Sequence, residues 1–369
     1  MTNCCCFSLR HLSVVCALVA LLVTVINPLL NHLIDPIDEQ SIVEEHEASQ
    51  RAPFDPLVTD VMGYEHMGFT KQGQRPELWL GPTYIMVQSF PRWAVKLMEW
   101  YSPVQYNEEA LEMKTVDIRD ARKAEEIVSS TFAERGFTLL DMSDSTSIEA
   151  DDWRSTETIQ AFQKDLEPRL LELFPGATRI EFTYNVIRGG SKVGDQPAAI
   201  NGPHLDYTQD DSAREDFHQE FPARSFVREP NLLLGHENTD EEEMLAMVGI
   251  WKPVSMATPV CDHPLAVMDA RTFAKDHEGL YPIHINFGFF VLHNLNGAIH
   301  HHDDQRWYYY PFQNESEVLV FTQYSKDRHF CNPHGSFRNP NCPGDSDPRI
   351  SVEMRAGVFF KKEPKSKED

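Results

Sequence analysis

Asn201-Gly202-Pro203-His204-Leu205-Asp206-Tyr207-Thr208 is the stretch on which the fold reading turns. It comes after a β-rich run that ends in turn residues. In an extended segment, side chains at i and i+2 share one face. An imidazole at His204 and a carboxylate at Asp206 can therefore grip one metal ion from neighbouring positions of a strand. One more histidine would complete a two-histidine, one-carboxylate triad. Such a triad leaves three coordination positions open, as non-haem Fe(II) chemistry with O2 and a cosubstrate requires. Alone, a His-x-Asp pair is weak, because most such pairs bind nothing.

The C-terminal region strengthens the reading. His334 lies in Asn332-Pro333-His334-Gly335-Ser336-Phe337. Further on, Ile350, Val352, Met354 and Val358 alternate with polar or small residues, the pattern of a half-buried strand. Arg349 and Ser351 then share its other face. A guanidinium fork beside a hydroxyl is a good receptor for a carboxylate. His-x-Asp, then His, then Arg-x-Ser is an order that resembles the 2-oxoglutarate/Fe(II) dioxygenases. The resemblance implies Fe(II) on His204, Asp206 and His334, with the far carboxylate of 2-oxoglutarate on Arg349 and Ser351. Arg355 shares the face of Arg349 and is the alternative anchor. The bland readings are a surface ion pair for Arg349 and a turn residue for His334. His300-His301-His302-Asp303-Asp304 is the runner-up source of the third ligand. Consecutive residues there alternate faces on a strand or are solvated in a loop.

The chain has 369 residues and a formal net charge of −24, which argues against nucleic acid as a partner. Its 18 Gly and 24 Pro suit a loop-rich fold. From Leu12 to Ile34 there is no Asp, Glu, Lys or Arg, a length that spans a bilayer. Arg10 precedes this run and Asp35, Asp38 and Glu39 come after it. The charge bias predicts a single-pass anchor with the catalytic part in the lumen of the endomembrane system. A cleaved signal peptide and secretion is the competing reading. Cys4, Cys5 and Cys6 are candidates for palmitoylation if cytosolic. The expected organisation is a tail and anchor over 1–34, an acidic linker over 35–56 and a catalytic domain over 57–369. Cys331 and Cys342 bracket the His334 loop and could be bridged. Asn314-Glu315-Ser316 is a glycosylation sequon.

Ala121, Ala124, Ile127, Val128 and Phe132 recur at three and four, which predicts a helix over 117–136 capped by Gly136. A strand is expected over 137–140 and a helix over 153–174. Further strands are expected over 179–188, 247–251, 265–268, 306–311, 317–324 and 350–360. A polar stretch over 210–231 reads as a loop and short helix above the site. Two helices and then many short strands predict an α+β domain around a double-stranded β-helix, or jelly roll, with flanking helices, preceded by one transmembrane helix.

Several segments resemble the AsaB-type fungal hydroxylase/desaturase family, whose members include 7α-cephem-methoxylase-like proteins. They are Tyr184-Asn-Val-Ile-Arg188, Pro203-His-Leu-Asp206, Gly249-Ile-Trp-Lys-Pro253, Pro264-Leu-Ala-Val-Met-Asp269, Gln305-Arg-Trp-Tyr-Tyr309, Ser316-Glu-Val-Leu-Val-Phe321, Pro333-His-Gly-Ser-Phe337 and Arg349-Ile-Ser-Val-Glu353. The resemblance implies a 2-oxoglutarate/Fe(II)-dependent oxidoreductase that hydroxylates or desaturates a small secondary metabolite, a natural product. Two departures stand out. Lys252 replaces an arginine of the family's Trp-Arg-Pro motif, and an N-terminal membrane span is foreign to the pattern. Arg188 and Lys252 are candidates for fixing a substrate carboxylate. Trp251, Trp307, Tyr308 and Tyr309 read as core and pocket wall. The alternatives are an inactive jelly-roll binding protein and a zinc-dependent hydrolase that uses the His300–Asp304 cluster.

Overall fold

The computed structural model divides into two compact units, Met1–Ala52 and Pro53–Asp369. The structure describes 61–70, 78–80 and 105–106 and, with brief interruptions, 111–362; the longer gaps in this last stretch are 148–151, 190–201, 217–240 and 287–290. The span expected over 12–34 and most of the expected 210–231 cover lie outside the described residues. No helix among the described residues is long and apolar enough to cross a membrane.

Fifteen strands are described. They are β1 (Val61–Thr70), β2 (Leu78–Leu80), β3 (Gln105–Tyr106), β4 (Leu111–Asp120), β5 (Phe137–Asp141), β6 (Ala177–Gly189), β7 (His204–Leu205), β8 (Glu242–Pro253), β9 (Leu265–Met268), β10 (Glu278–Asn286), β11 (Val291–Ile299), β12 (Trp307–Tyr309), β13 (Glu317–Ser325), β14 (His334–Ser336) and β15 (Ile350–Lys361). Ten form one sheet in the order β1-β4-β12-β9-β14-β7-β11-β10-β2-β3, and five form another in the order β5-β13-β8-β15-β6. Phe137, Trp251, Leu319 and Phe321 of the smaller sheet share a buried cluster with Leu265, Val267 and Tyr308 of the larger. The two sheets therefore pack face to face, and the site lies between them.

The outer face of the five-stranded sheet carries the one long helix among the described residues, α3 (Thr156–Leu173). Ser155 caps it by accepting from the Thr158 N–H at 3.4 Å. Ile159, Phe162, Leu166 and Leu170 form its buried stripe. That stripe meets Val248 and Ile250 of β8 and Val352, Met354, Ala356 and Val358 of β15. The even-numbered residues of β15 thus face the helix, and the odd-numbered ones face the other sheet.

Two β-bulges change which side chains reach the interior. Opposite Met354 and Ala356, β6 supplies Asn185 and Phe182, so one extra residue enters β6. The insertion reverses its alternation. Ile180 faces the helix opposite Val358, whereas Arg188 is turned inward opposite Ser351. In β13 a second irregularity falls between Thr322 and Tyr324, opposite Val248 and Met247. It turns Tyr324 inward beside Gln323, which continues the inward alternation of Leu319 and Phe321.

The helix expected over 117–136 is a correction. β4 continues to Asp120, because Ile118 and Asp120 pair with Trp307 and Tyr309 of β12. Beyond Asp120 the chain forms two single turns, α1 (Glu125–Val128) and α2 (Phe132–Arg135), the second opened by the Thr131–Glu134 capping box. The apolar spacing that suggests one helix spans a strand end and two turns. Gly136 does cap α2, in the left-handed region at φ 82°. The expected α+β balance is therefore mostly β with few helices. The bridge suggested between Cys331 and Cys342 is also corrected. Cys342 pairs with Cys261, at a Cα–Cα distance of 5.4 Å. Cys331 is turned instead into an apolar layer with Leu205, Met268 and Trp307.

A Cβ at Gly136 would stand 2.5 Å from Asn332 Oδ1, and the backbone there is left-handed. Gly136→Ala is expected to destabilise the protein by about 2–4 kcal/mol, combining left-handed strain with overpacking. The shift of the urea unfolding midpoint measures it.

Candidate metal centre

Two very short strands build the site. β14 pairs β7 through one register position, His334 opposite His204. Their rings lie 4.6 Å apart, centroid to centroid. Asp206 stands two residues after His204, and its Oδ1 and Oδ2 lie 3.7 Å from His204 Nε2 and His334 Nε2. One ligand atom from each residue falls within 4.8 Å of the other two, and all three residues are buried. Donors about 2.1 Å from a shared ion at right angles stand about 3 Å apart, so small side-chain rotations close the set.

The hydrogen bonds set the histidine tautomers. His204 Nδ1 lies 2.8 Å from the Gly202 carbonyl, and His334 Nδ1 lies 3.3 Å from the Asn332 carbonyl. A carbonyl only accepts, so both Nδ1 atoms carry the proton and both Nε2 lone pairs point at Asp206. A metal-ligating histidine is oriented in this way. Burial, and then the neighbouring His204, push the His334 imidazole down to about 4. Burial alone would raise the Asp206 carboxyl; Arg355, then His334 and His204, outweigh it and leave it at about 2. At neutral pH both groups are in the form a metal takes.

Sequence reasoning missed the residues that hold these ligands. Asn332 is fully buried, and its side chain bonds the Thr322 N–H, the Arg135 carbonyl and the Met268 carbonyl. It thereby ties the approach to β14 to α2, β9 and β13. Gln323 Nε2 donates to Asp206 Oδ2. Arg355, the alternative cosubstrate anchor, instead bonds Asp206 Oδ1 at 2.9 Å and the Tyr207 hydroxyl at 3.1 Å. The alternation of Leu319 and Phe321 already points Gln323 inward, but nothing in the sequence ties it to Asp206.

Arg349 and Ser351 are also interior. Arg349 Nη1 donates to the His263 carbonyl at 2.8 Å, Nη2 reaches the Gly189 carbonyl at 3.4 Å, and the guanidinium lies over Trp251 at 5.6 Å. Its Nε, the Ser351 hydroxyl and the Trp251 indole N–H are buried without a hydrogen-bond partner. Buried polar groups are ordinarily paired, so three orphans on adjacent strands mark a place for a ligand rich in acceptor oxygens. Arg188 shares this interior, 2.7 Å from Glu353.

Lys252 does not. It sits opposite Val352 on the helix-facing side, with Nζ 2.9 Å from the Pro253 carbonyl and 4.4 Å from the Trp153 ring centroid. Burial lowers its ammonium to about 8. The expected role in gripping a substrate carboxylate is thereby corrected. The His300–Asp304 run does not supply the third ligand either. His302 and Asp304 gather instead with His277, whose ring stacks on His302 at 4.0 Å and whose Nε2 lies 3.7 Å from Asp304. His277 Nδ1 accepts from the Ala274 N–H, which leaves the ring proton on Nε2, facing the other two. That tautomer is the reverse of the one a metal ligand needs.

A family model described as "Oxidoreductase/YMDC permease-like domain" matches residues 92–359. The chain belongs to this family. Proteins similar to it include the "Aspirochlorine biosynthesis protein N" of Aspergillus oryzae, 31% identical over 208 residues, which are 52% of this chain and 85% of that protein. The "Fe(II)/2-oxoglutarate-dependent dioxygenase nvfI" of Aspergillus novofumigatus is 31% identical over 117 residues, 30% of this chain and 39% of that one. Among solved structures, the "iron and alpha-ketoglutarate-dependent endoperoxidase NvfI" superposes with a TM-score of 0.55 at 22% identity, covering 82% of this chain and 100% of that chain. The same enzyme in a different conformation gives a TM-score of 0.57 at 21% identity. The jelly-roll core expected from the sequence is the fold these share. The resemblance to fungal secondary-metabolite oxygenases is borne out by these relatives.

The lowered His334 value has a sign. The fold favours the neutral ring, so its stabilising contribution is complete above the ordinary pKa of 6.5 and is lost as pH falls toward 4. In the metal-free protein, His334→Gln is expected to flatten the decline of stability between about pH 6.5 and 5. Chemical denaturation at stepped pH checks it; an unchanged slope would refute the assignment.

Proposed function

We propose that this protein is a non-haem Fe(II)/2-oxoglutarate-dependent dioxygenase that hydroxylates or desaturates a small secondary metabolite. One observation carries the reading. Two Nε2 lone pairs, fixed by Nδ1–H bonds to carbonyls, converge with an ionised carboxylate in the interior that also holds the orphaned donors of Arg349 and Ser351. The iron-dependent relatives and the shared fold support it. Hydroxylation or desaturation rests on the resemblance of the sequence motifs to the fungal family, and a natural-product substrate rests on the relatives' place in secondary metabolism.

His204, Asp206 and His334 would hold Fe(II), and Arg349 Nε with the Ser351 hydroxyl would receive the far carboxylate of 2-oxoglutarate. Bound together, the metal and this cosubstrate supply the activation of O2. The chain's own contribution is placement and dryness. The carbonyls of Gly202 and Asn332 hold the two rings in orientation. Phe321 lies 4.5 Å from the His334 ring and, with Trp251, walls the chamber from water. Arg349 is lowered by burial to about 10, so it stays cationic at neutral pH and meets a dianion in a low-dielectric setting. The zinc-hydrolase alternative loses support from the His277 tautomer, and a metal-free binding module leaves the buried convergence of His204, Asp206 and His334 unexplained.

The test uses full-length protein, purified without oxygen and loaded with Fe(II). Adding 2-oxoglutarate should produce a weak visible charge-transfer band, and succinate should form on aeration. His204→Ala and Asp206→Ala should abolish the band. Ser351→Ala should weaken 2-oxoglutarate binding about tenfold and Arg349→Ala about 10- to 100-fold, with metal affinity retained. A band that survives His204→Ala would reject the ligand set. Analysis of the oxidised product separates alcohol from alkene.

A further inference from the structure

Asp206 is gripped by two side chains of unequal strength. Gln323 gives Oδ2 a neutral amide hydrogen bond. Arg355 gives Oδ1 a charged one at 2.9 Å. Charge-assisted bonds are roughly twice as strong as neutral ones. Arg355 is itself immobilised. Its Nη1 donates to the Tyr207 hydroxyl at 3.1 Å, and its guanidinium lies 5.4 Å from the centroid of the Tyr207 ring. Tyr207 is buried among Met244, Met247, Tyr324 and Phe359. The guanidinium cannot follow the carboxylate if it turns.

We propose that Arg355 is a positioning residue that withholds Asp206 Oδ1, so that the carboxylate offers a metal one oxygen rather than two. The inference rests on the proposed function. A triad serves two-point chelation of a cosubstrate and O2 only while three positions stay open. A carboxylate that takes two positions leaves too few. Arg355 therefore acts on what else can bind beside the metal, not on whether the metal binds. Its charge has the same sign as the ion, so its removal relieves repulsion and offsets the lost orientation.

Co(II) is the probe, with its affinity measured by calorimetry and its visible absorption recorded with and without 2-oxoglutarate. Arg355→Gln should bind Co(II) within about threefold of wild type or tighter, change the Co(II) absorption before any cosubstrate is added, and lose at least about tenfold in 2-oxoglutarate affinity. Arg355→Lys should recover much of that loss. Tyr207→Phe, which frees the guanidinium without touching the carboxylate, should fall between, and it carries the test if Arg355→Gln does not fold. The inference is overturned if Arg355→Gln matches wild type in both affinities. It is overturned equally if Co(II) affinity drops tenfold or more while 2-oxoglutarate affinity holds, since Arg355 would then serve only the metal. If wild type itself shows no 2-oxoglutarate-dependent change on Co(II), the proposed function falls and this inference with it.

Discussion

A single rung of backbone pairing, His334 opposite His204, brings together the parts of the site. The two residues are far apart in sequence and belong to strands of three and two residues. Strands so short contribute little by themselves. Their positions come from longer neighbours, β9 on one side and β11 on the other. Asn332 adds a buried clasp just before the rung. Metal ligands in such a place need rigid support, because misplacement of an ångström costs much of the chemistry.

The electrostatics depend on that geometry. Placing a carboxylate between two imidazoles inside a protein is costly unless cations and donors surround it. Arg355 and Gln323 meet this need at Asp206, and Arg188 meets it at Glu353. Lys252 shows the opposite outcome on the far side of the same sheet. There a lone ammonium rests on Trp153 and one carbonyl, with burial weakening its charge.

Much of the site is legible in the sequence. His204, Asp206 and His334 can be read because their spacing and types obey coordination chemistry, and the alternation after Arg349 places Ser351 on the same face. His334 prevails over the louder run at 300–304 because β14 sets it opposite His204, whereas His302 and Asp304 gather beside His277. The hidden features depend on tertiary structure. A bulge reverses the faces of β6, so the Ile180–Phe182 alternation would send Arg188 to the wrong side. Another bulge turns Tyr324 inward directly after Gln323, against the alternation of β13. The helix expected over 117–136 fails because apolar spacing carries across from β4 into α1 and α2, which only the pairing of β4 with β12 reveals. The cysteine partner of Cys342 lies 81 residues away, beyond any local cue.

β15 has a consequence of its own. Arg349, Ser351, Glu353 and Arg355 stand in one row toward the chamber, while Val352, Met354, Ala356 and Val358 stand in the other toward α3. Losing or gaining one residue in the middle of this segment would exchange the two rows beyond that point, placing aliphatic groups beside Asp206 and guanidinium groups under the helix. An odd-numbered insertion or deletion within the strand therefore breaks both faces at once unless a compensating bulge restores the phase.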